Sequence, residues 1–578
     1  MTGPAAPKDP EKARPFFYIL KDKDIFGERQ KDGTGIQFIY ESDGRLINSA
    51  QITGNVTDKE ELTLLETVEG FGRLVHSIGV SVETDRPEET AEFVFQMYGK
   101  KDLYGGGTNL TASLKCDGME HRIYLSDYRW TEDDHVPGQI KILFAAPERM
   151  GKVSVRLFLN DGYEAPPEEE DLVIDMHSEE YCGMISRSLL QLGNPYRIRK
   201  AIEKSKAGKE VTLAYIGGSI TQGAGAIPIH TECYAYKSFQ LFQNRFSTQN
   251  NVRFIKAGVG GTPSELGMIR FDRDVLREEE RPDIVVIEFA VNDEGDETKG
   301  VCYESLVRKV LKLPWKPAVV LLFSVFANDW NLQERLRPVG DLYDLPMVSI
   351  RDAVTPQFSL KCGEGRILSK NQFFYDIFHP NNTGHTIMAD CLQYLFERCD
   401  AAEPARVGTF VEGMTEEQIL SEKLSGPAVI GADFERIFLL DKKNRYVGAK
   451  IRAGGFTSTD MELQSVEMDG NLTQTPEFPY NWMYDGSRLQ MPGFEMEITC
   501  KSLFLIFKDS GEMDVGKANV FVNDVYCMTA DPHKNNWLHC NAVLLFWETE
   551  SRSHKVRIAV TEEDRNKKFT ILGFGYTI

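Results

Sequence analysis

The sequence has no long hydrophobic segment and no paired cysteine motif. No apolar run in its 578 residues is long enough to span a lipid bilayer, and the N-terminal residues lack the apolar core of a signal peptide. The ten cysteines are scattered without a CxxC pair, which is typical of free thiols in a reducing compartment and argues against a disulfide framework or a zinc site. We therefore expect a cytoplasmic protein without a membrane partner.

The sequence also has fewer basic than acidic residues. Lysine and arginine together number 66 against 87 aspartates and glutamates, which gives a formal net charge of −21. A chain of this charge repels phosphate backbones and anionic lipids, so we expect no nucleic-acid partner. The sequence has no phosphate-binding glycine loop, no dinucleotide fingerprint and no His/Glu spacing of a metal site, so we predict no cofactor and no metal ion.

The chain is too long for one hydrophobic core, and its texture predicts three domains. Residues 1–178 consist of short strands between turns, after a disordered lead-in over 1–15, and predict an all-β sandwich or jelly roll. Residues 179–402 alternate strands and helices, and residues 403–578 predict a second all-β sandwich. The acidic run at 166–171 is interpreted as an exposed linker between the first two domains.

The middle domain alternates strictly between its two kinds of element. Buried strands are predicted at the five apolar, β-branched runs 211–216, 252–257, 283–290, 318–325 and 347–350. Helices are predicted at 197–206, 234–246, 264–277, 303–313, 332–339 and 384–398. This order predicts an α/β fold in which helices cover both faces of a parallel sheet. In the last domain, 542–547 and 554–559 are predicted to be two separate strands.

Four segments of the middle domain carry residues suited to chemistry. Ser219 follows two glycines at the end of the first strand, a glycine cluster at 258–261 follows the second, and Asn292 follows the third. Because the carboxyl ends of parallel strands meet at one edge of a sheet, we expect these segments to lie together. A later loop supplies Asp376 and His379, three positions apart. Each segment alone has an ordinary explanation as a turn or loop, so the hypothesis of a site depends on the ordered set.

Together these residues supply the parts of an acyl-transfer site. Ser219 is predicted to be the nucleophile, and His379 takes its proton and returns it to the leaving alcohol. Asp376 would hold the Nδ1–H of His379 and fix its tautomer. The oxyanion would be held by the backbone N–H groups of Ser219 and Gly261 and by the side-chain amide of Asn292.

The four segments resemble the conserved blocks of the SGNH hydrolases, also called GDSL-type esterases. The resemblance covers about 211–398 and implies a flavodoxin-like α/β/α sandwich with the same five residues in the roles given above. Gly218 stands where many members have Asp, and Ala290 stands where many have Gly. Gly258 and Gly260 compete with Gly261 for the oxyanion role, and the spacing to Thr262 and Ser264 favours Gly261. The Gly-Gly-Ser-Ile-Thr variant beside β-domains is similar to bacterial carbohydrate O-acetylesterases such as acetylxylan esterases.

Aromatic residues are candidates for contact with a substrate. Trp330 follows the fourth strand and Tyr234 begins the first helix after Ser219, so both are predicted to line the pocket, although core packing explains them equally well. His230 and Glu232 lie near the nucleophile but no catalytic role is predicted for them. The aromatic residues of the last domain form either a glycan platform or part of a sandwich core, namely Tyr480, Trp482 and Trp537.

The favoured hypothesis is a serine esterase that removes acetyl groups from plant-type oligosaccharides such as xylan or mannan, without a cofactor. An alternative is a lipase, thioesterase or acyltransferase of the same superfamily that acts on other acyl esters. A third is a carbohydrate-binding protein with an inert α/β domain, against which the complete set of site residues argues. The acetylated oligosaccharide is thus the predicted partner, and assembly into homo-oligomers stays open.

Overall fold

The structure is a computed structural model that describes residues 9, 12–41, 44–277, 279–402, 414–467, 474–487 and 492–578. Most of the predicted lead-in and the predicted boundary at residue 403 lie outside the described residues, and the limits of the three domains stay predictions. No helix in the described part of the chain is long and apolar enough to cross a membrane.

The N-terminal region contains two antiparallel sheets that share one hydrophobic core. Its strands are β1 (Phe16–Phe26), β2 (Glu28–Arg29), β3 (Gly35–Tyr40), β4 (Val75–Thr84), β5 (Thr90–Gly99), β6 (Asn109–Lys115), β7 (His121–Tyr124), β8 (Asp134–Phe144) and β9 (Met150–Leu159). One sheet has the order β1-β9-β4-β7 and the other β2-β3-β8-β5-β6, as expected for a sandwich.

The sequence interpretation missed three short helices between β3 and β4. They are α1 (Arg45–Thr53), α2 (Lys59–Leu64) and α3 (Val68–Leu74). The Asp58 carboxylate accepts the backbone N–H groups of Glu60 and Glu61 at the start of α2, and the Thr67 hydroxyl caps α3 in the same way. These caps are a local signal that the search for strands passed over.

The α/β region has one six-stranded sheet in the order β10-β15-β14-β13-β11-β12. Its strands are β10 (Leu189–Gln191), β11 (Val211–Gly217), β12 (Val252–Gly258), β13 (Ile284–Glu288), β14 (Ala318–Phe323) and β15 (Met347–Ser349). The five predicted strands are parallel, whereas the short edge strand β10 is antiparallel to β15 and was not predicted. Every residue of β11, β13 and β14 is buried because helices cover both faces.

The six helices predicted in this region are present close to their predicted positions, and the described residues form further short helices that were not predicted. The helices are α4 (Glu179–Ser186), α5 (Tyr196–Lys206), α6 (Ser219–Gln222), α7 (Ile229–Glu232), α8 (Tyr234–Phe246), α9 (Ser264–Phe271), α10 (Val301–Leu311), α11 (Gln333–Tyr343), α12 (Ile350–Phe358), α13 (Lys370–Phe373) and α14 (Asn382–Ala401). The helix predicted over 264–277 is α-helical only to Phe271 and continues as a π-helical turn at Asp272–Leu276.

Strand register brings the chemical segments together. In the ladder between β11 and β12, Gly217 pairs with Gly258, and in the ladder between β11 and β13 it pairs with Glu288. The three strands therefore end at the same level, and the segments that follow them start side by side at one edge of the sheet.

The C-terminal region is built mainly from one eight-stranded antiparallel sheet. Its elements are α15 (Glu416–Ser425), β16 (Phe438–Leu440), β17 (Ala449–Arg452), β18 (Ser465–Glu467), β19 (Gln474–Pro476), β20 (Trp482–Tyr484), β21 (Phe494–Asp509), β22 (Ala518–Val522), β23 (Val525–Ala530), β24 (His539–Val560) and β25 (Phe569–Thr577). The prediction of separate strands at 542–547 and 554–559 was wrong. Both belong to the one strand β24, which pairs with β21 on either side of an irregularity between Trp547 and Arg552.

Both β-regions pack on the α/β region. Phe434, Phe504 and Leu572 of the C-terminal region belong to the same hydrophobic cluster as one face of the central sheet. The acidic run at 166–171 is bound on both sides, since Glu169 O accepts Lys21 Nζ and the carboxylate of Asp171 accepts Asn371 Nδ2 at 3.0 Å. The run was predicted to be an exposed linker. The structure shows instead that it is hydrogen-bonded to both the N-terminal region and the α/β region.

Candidate active site

Ser219 lies directly beyond the central strand and is the first residue of the one-turn helix α6. The backbone N–H of Gly223, at φ +109°, bonds to Ser219 O and ends this turn. A Cβ atom at Gly218 would lie 2.3 Å from Asn292 Oδ1, and one at Gly217 would lie 2.2 Å from Thr221 Oγ1. Glycine is required at both positions because these two side chains leave no room for a Cβ atom.

Ser219, His379 and Asp376 form a continuous hydrogen-bonded series. The hydroxyl of Ser219 lies 2.9 Å from His379 Nε2, and His379 Nδ1 lies 2.9 Å from Asp376 Oδ2. Asp376 Oδ1 also accepts the backbone N–H groups of Phe378 and His379, at 2.8 and 2.9 Å. With the Asp376 carboxylate accepting at Nδ1, the imidazole Nε2 is left to accept the serine proton.

The Asp376 carboxylate is ionised in this arrangement. Burial alone would raise its pKa, but the charge of His379 and the hydrogen bonds from His379 and from the Phe378 backbone lower that pKa to about 2. A carboxylate that stays charged can stabilise the imidazolium that forms when Nε2 takes a proton.

The three predicted oxyanion donors lie in the segments that follow β11, β12 and β13. Ser219 opens a helical turn, so its N–H has no intrahelical partner. The backbone N–H of Gly261 donates no hydrogen bond to any residue that the structure describes. The Asn292 side chain packs against Gly218, and its buried Oδ1 has no partner within the described part of the chain. The unpartnered atom is the amide oxygen, which accepts hydrogen bonds, so the donor role of the Asn292 Nδ2 group stays a prediction.

Two buried cations hold the backbone around Ser219, and the sequence interpretation missed both. Arg270 donates to Gly217 O at 2.8 Å and to Ala257 O at 2.7 Å, and it thereby ties together the ends of β11 and β12. Lys256 donates to Gln222 O at 2.9 Å, on the other side of the nucleophile. A lysine inside the apolar strand that precedes the glycine cluster was the available signal.

Tyr234 does not line the pocket, so that prediction was wrong. Its side chain is completely buried, and its hydroxyl lies 2.8 Å from Thr221 Oγ1. Thr221 in turn donates to Glu288 Oε2 at 3.1 Å, and burial raises the pKa of Glu288 to about 7. Tyr234 thus belongs to a polar network beneath α6, because its position on the helix faces the core.

Trp330 lies at the predicted edge of the sheet and is half-buried. Its ring stacks on Phe326 at 5.7 Å between centroids, and Phe326 contacts Phe378, the residue before His379, at 5.1 Å. Contact of Trp330 with a substrate stays a prediction.

The three candidate aromatic residues of the C-terminal region differ in burial and position. Trp482 is buried in the core of that region, so it cannot be part of a glycan platform as suggested. Trp537 is 45% exposed and lies beside the glycine loop, where a Cβ atom at Gly261 would be 2.9 Å from its ring. Tyr480 is exposed, and its role stays a prediction.

The N-terminal region supports the loop that holds Asp376. The ammonium of Lys23 is buried and donates to Phe374 O. Burial lowers the pKa of Lys23 to about 8, although the nearby Asp376 carboxylate raises it. Among the described residues, no group of three or more His, Cys, Asp or Glu side chains is arranged to hold a metal ion.

A serine, an imidazole and a carboxylate in series at the carboxyl edge of a parallel sheet, beside unpaired amide donors, define a serine hydrolase site of the α/β/α class. Residues 215–387 match the model of the GDSL-like Lipase/Acylhydrolase family. This stretch is therefore similar to that family, and the match together with the geometry of the site supports an esterase.

A solved esterase with two domains shares the fold. A two-domain esterase (CEX) active on acetylated mannans has a TM-score of 0.55 at 23% identity, covering 68% of this chain and 98% of its own. The same esterase co-crystallised with mannopentaose has a TM-score of 0.53 at 24% identity, with the same coverage. The acetylxylan esterase Axe2 from Geobacillus stearothermophilus covers 34% of this chain and 97% of its own, with a TM-score of 0.26 at 19% identity. A comparison with curated proteins found no match.

Proposed function

We propose that this esterase removes O-acetyl groups from hemicellulose-type oligosaccharides, such as those of mannan or xylan. The observation that carries the proposal is the Asp376–His379–Ser219 series, with 2.9 Å between Ser219 Oγ and His379 Nε2. These groups match the needs of ester hydrolysis and require no further reactant than water.

In the proposed reaction, Ser219 Oγ attacks the acetyl carbonyl carbon while His379 Nε2 takes its proton. The negative oxygen of the tetrahedral intermediate accepts hydrogen bonds from the N–H groups of Ser219 and Gly261 and from the Asn292 amide. The ester C–O bond then breaks, and His379 returns the proton to the sugar oxygen. Water, activated by His379, attacks the acetyl-enzyme and releases acetate, which regenerates Ser219.

Two features support a carbohydrate as the alcohol part. Trp330 packs through Phe326 against Phe378, the residue before His379, and Trp537 lies beside Gly261. Flat apolar rings of this kind suit the faces of sugars. The similar two-domain esterase is described as active on acetylated mannans.

The test is to incubate the protein with acetylated mannan and xylan oligosaccharides and to follow released acetate and lost acetyl positions by mass spectrometry and NMR. We expect acetate release by the native chain and none by Ser219→Ala. A parallel series of p-nitrophenyl esters should show acetate cleaved much faster than octanoate. Octanoate faster than acetate, with no acetate released from the oligosaccharides, would favour a lipase or thioesterase instead.

A further inference from the structure

Two side chains of the C-terminal region hold the carbonyl groups of the glycine loop after β12. Gln464 Nε2 donates to Gly260 O at 2.8 Å, and His539 Nε2 donates to Gly261 O at 3.0 Å. Gln464 is 9% exposed and His539 is 6% exposed, so water does not compete effectively for these bonds.

The bond to Gly260 O also fixes the direction of the Gly261 N–H. Both groups belong to one planar trans peptide unit, in which the C=O and the N–H point in opposite directions. Gln464 therefore turns the Gly261 N–H away from the C-terminal region. The N–H of Gly260 belongs to the peptide of Val259, whose carbonyl instead accepts the hydroxyl of Thr262 at 2.8 Å.

Gln464 and His539, the two bracing side chains, are themselves held in place by hydrogen bonds. Gln464 Oε1 accepts the backbone N–H of Cys540 at 3.0 Å, which sets the orientation of the Gln464 amide. His539 Nδ1 lies 3.1 Å from Asn535 Nδ2 and 3.4 Å from Asp509 Oδ2, and Asp509 pairs with His539 across the β21–β24 ladder. Because a carbonyl oxygen can only accept, His539 Nε2 carries the proton in its bond to the loop.

We propose that Gln464 and His539 are positioning residues for the oxyanion hole. The C-terminal domain then contributes to catalysis by orienting the Gly261 N–H. The inference rests on the proposed function, in which the Gly261 N–H stabilises the tetrahedral intermediate. A donor that is not held in place has to be ordered during the reaction, and part of the transition-state stabilisation is lost.

The test uses Gln464→Met and His539→Ala, with His554→Ala as the matched control. His554 is a buried histidine on the same strand β24, and its ring packs on Phe546 within the C-terminal domain. We expect kcat on p-nitrophenyl acetate to fall about tenfold to a hundredfold in the two variants, with little change in KM. The affinity for a small alkylboronic acid, which forms a tetrahedral adduct with serine, should fall in parallel. His539→Gln keeps an N–H donor of similar reach and should recover part of kcat.

Wild-type kcat and boronate affinity in both variants would overturn the inference, as would an equal loss in His554→Ala. Circular dichroism checks that each variant is folded, and His539→Gln provides the comparison if His539→Ala is not. Failure of the proposed function gives a different result, namely no ester hydrolysis by the native chain. If the native chain is active and Asn292→Ala is impaired while the bracing variants are not, only the present inference is wrong.

A different observation concerns a cleft of about 430 Å³ between the N-terminal region and the segment that follows the nucleophile. Its lining combines aromatic rings with hydrogen-bonding side chains, among them Phe26, Glu28, Arg29, Gln37, His230 and Tyr375. Arg29 is paired with Glu148 at 3.0 Å, so the cleft has no unbalanced positive charge on this side. This composition suits an uncharged ligand rich in hydroxyl groups.

The cleft lies next to the loop that carries His379. The backbone N–H of Tyr375 donates to His379 O at 2.8 Å, and a Cβ atom at Gly225 would lie 3.0 Å from His379 Cβ. The opposite wall is fixed by two hydrogen bonds of 2.7 Å between the backbone of Ile227 and the side chain of Asn382. The cleft thus neighbours the loop of His379, the residue that protonates the leaving alcohol in the proposed reaction.

The geometry points to this cleft as the subsite for sugar units on the leaving-alcohol side, an inference that also rests on the proposed function. Arg29→Ala and Glu28→Ala test it, with Arg86→Ala as the control, since Arg86 is an exposed arginine of the same region paired with Asp85. For the test variants, the ratio of kcat/KM on an acetylated pentasaccharide to that on p-nitrophenyl acetate should fall about fivefold. For the control the ratio should not change. An unchanged ratio in both test variants would overturn this subsite, whereas no hydrolysis of any acetylated oligosaccharide by the native chain would contradict the proposed substrate.

Discussion

The hydroxyl of Ser219 lies 2.9 Å from Nε2 of His379, although 160 positions separate the two residues in the chain. The contact exists because β11 ends at Gly217 and because the loop of Asp376 and His379 is held over the same edge of the sheet by α13 and α14. Local turns orient each partner, and the sheet brings them together.

Removal of either partner should abolish hydrolysis. In Ser219→Ala no nucleophile remains, and in His379→Ala no base takes the serine proton. We expect kcat to fall by up to about 10⁶ in each variant, and by no more in the double variant because the two act as a unit. Acetate release from p-nitrophenyl acetate measures the loss, and circular dichroism verifies the fold. A single variant that retained a tenth of the native rate would exclude the assigned role.

Asp376→Asn should lower kcat by about 10²–10⁴ without unfolding the domain. The backbone N–H groups of Phe378 and His379 require an acceptor at the Oδ1 position, so the amide NH₂ of the new side chain takes the Oδ2 position. There it faces His379 Nδ1 with a donor against a donor, which favours the tautomer with its proton on Nε2. The pH–rate profile is the second measurement, because loss of the carboxylate should shift its acid limb to lower pH.

Asn292→Ala should reduce kcat by about 10²–10³ while KM changes little, since an oxyanion donor acts mainly on the transition state. The native amide has no partner within the described residues to lose, so the variant should be folded and no less stable. Steady-state kinetics and a thermal melt give the two values. A full native rate in this variant would require another group to be the third donor.

Much of this site could be predicted from the sequence because its parts are local. Ser219, Gly261 and Asn292 each follow a recognisable buried strand, and Asp376 and His379 share one turn, so the rule for strand ends in parallel sheets was sufficient. The burial of Tyr234 was not predictable in this way, because the spacing along α8 does not say which side faces the pocket.

The contacts from the flanking domains could not be predicted at all. Gln464 bonds to Gly260 across 204 positions and His539 bonds to Gly261 across 278 positions, and both depend on how a separate sheet packs on the α/β region. The buried amine of Lys23 reaches Phe374 across 351 positions for the same reason. The spacing of residues along the sequence of one domain does not predict contacts between domains.

Gly218→Ala should lower kcat at least about 10²-fold, because its Cβ would lie 2.3 Å from Asn292 Oδ1 and would displace the amide. Gly183→Ala is the matched control, since a Cβ there meets no atom within 4 Å and helix α4 favours alanine. Kinetics on p-nitrophenyl acetate compare the two. Equal rates in both variants would show that Asn292 can move without loss, contrary to the geometry.

Glu288→Gln should stabilise the protein at pH 8 and have little effect near pH 4.5. Burial raises the pKa of Glu288 from 4.5 to about 7, so the folded protein prefers the protonated acid, while the unfolded chain ionises above pH 4.5. An acid with a raised folded pKa lowers stability as pH rises from its unfolded value to its folded value, by about 3 kcal/mol for this shift. The glutamine carries no charge and can still accept the Thr221 hydroxyl, so it avoids this loss. Thermal melts of both proteins at pH 4.5 and pH 8 measure the effect, and a difference in Tm that did not grow with pH would mean that Glu288 is already ionised in the folded state.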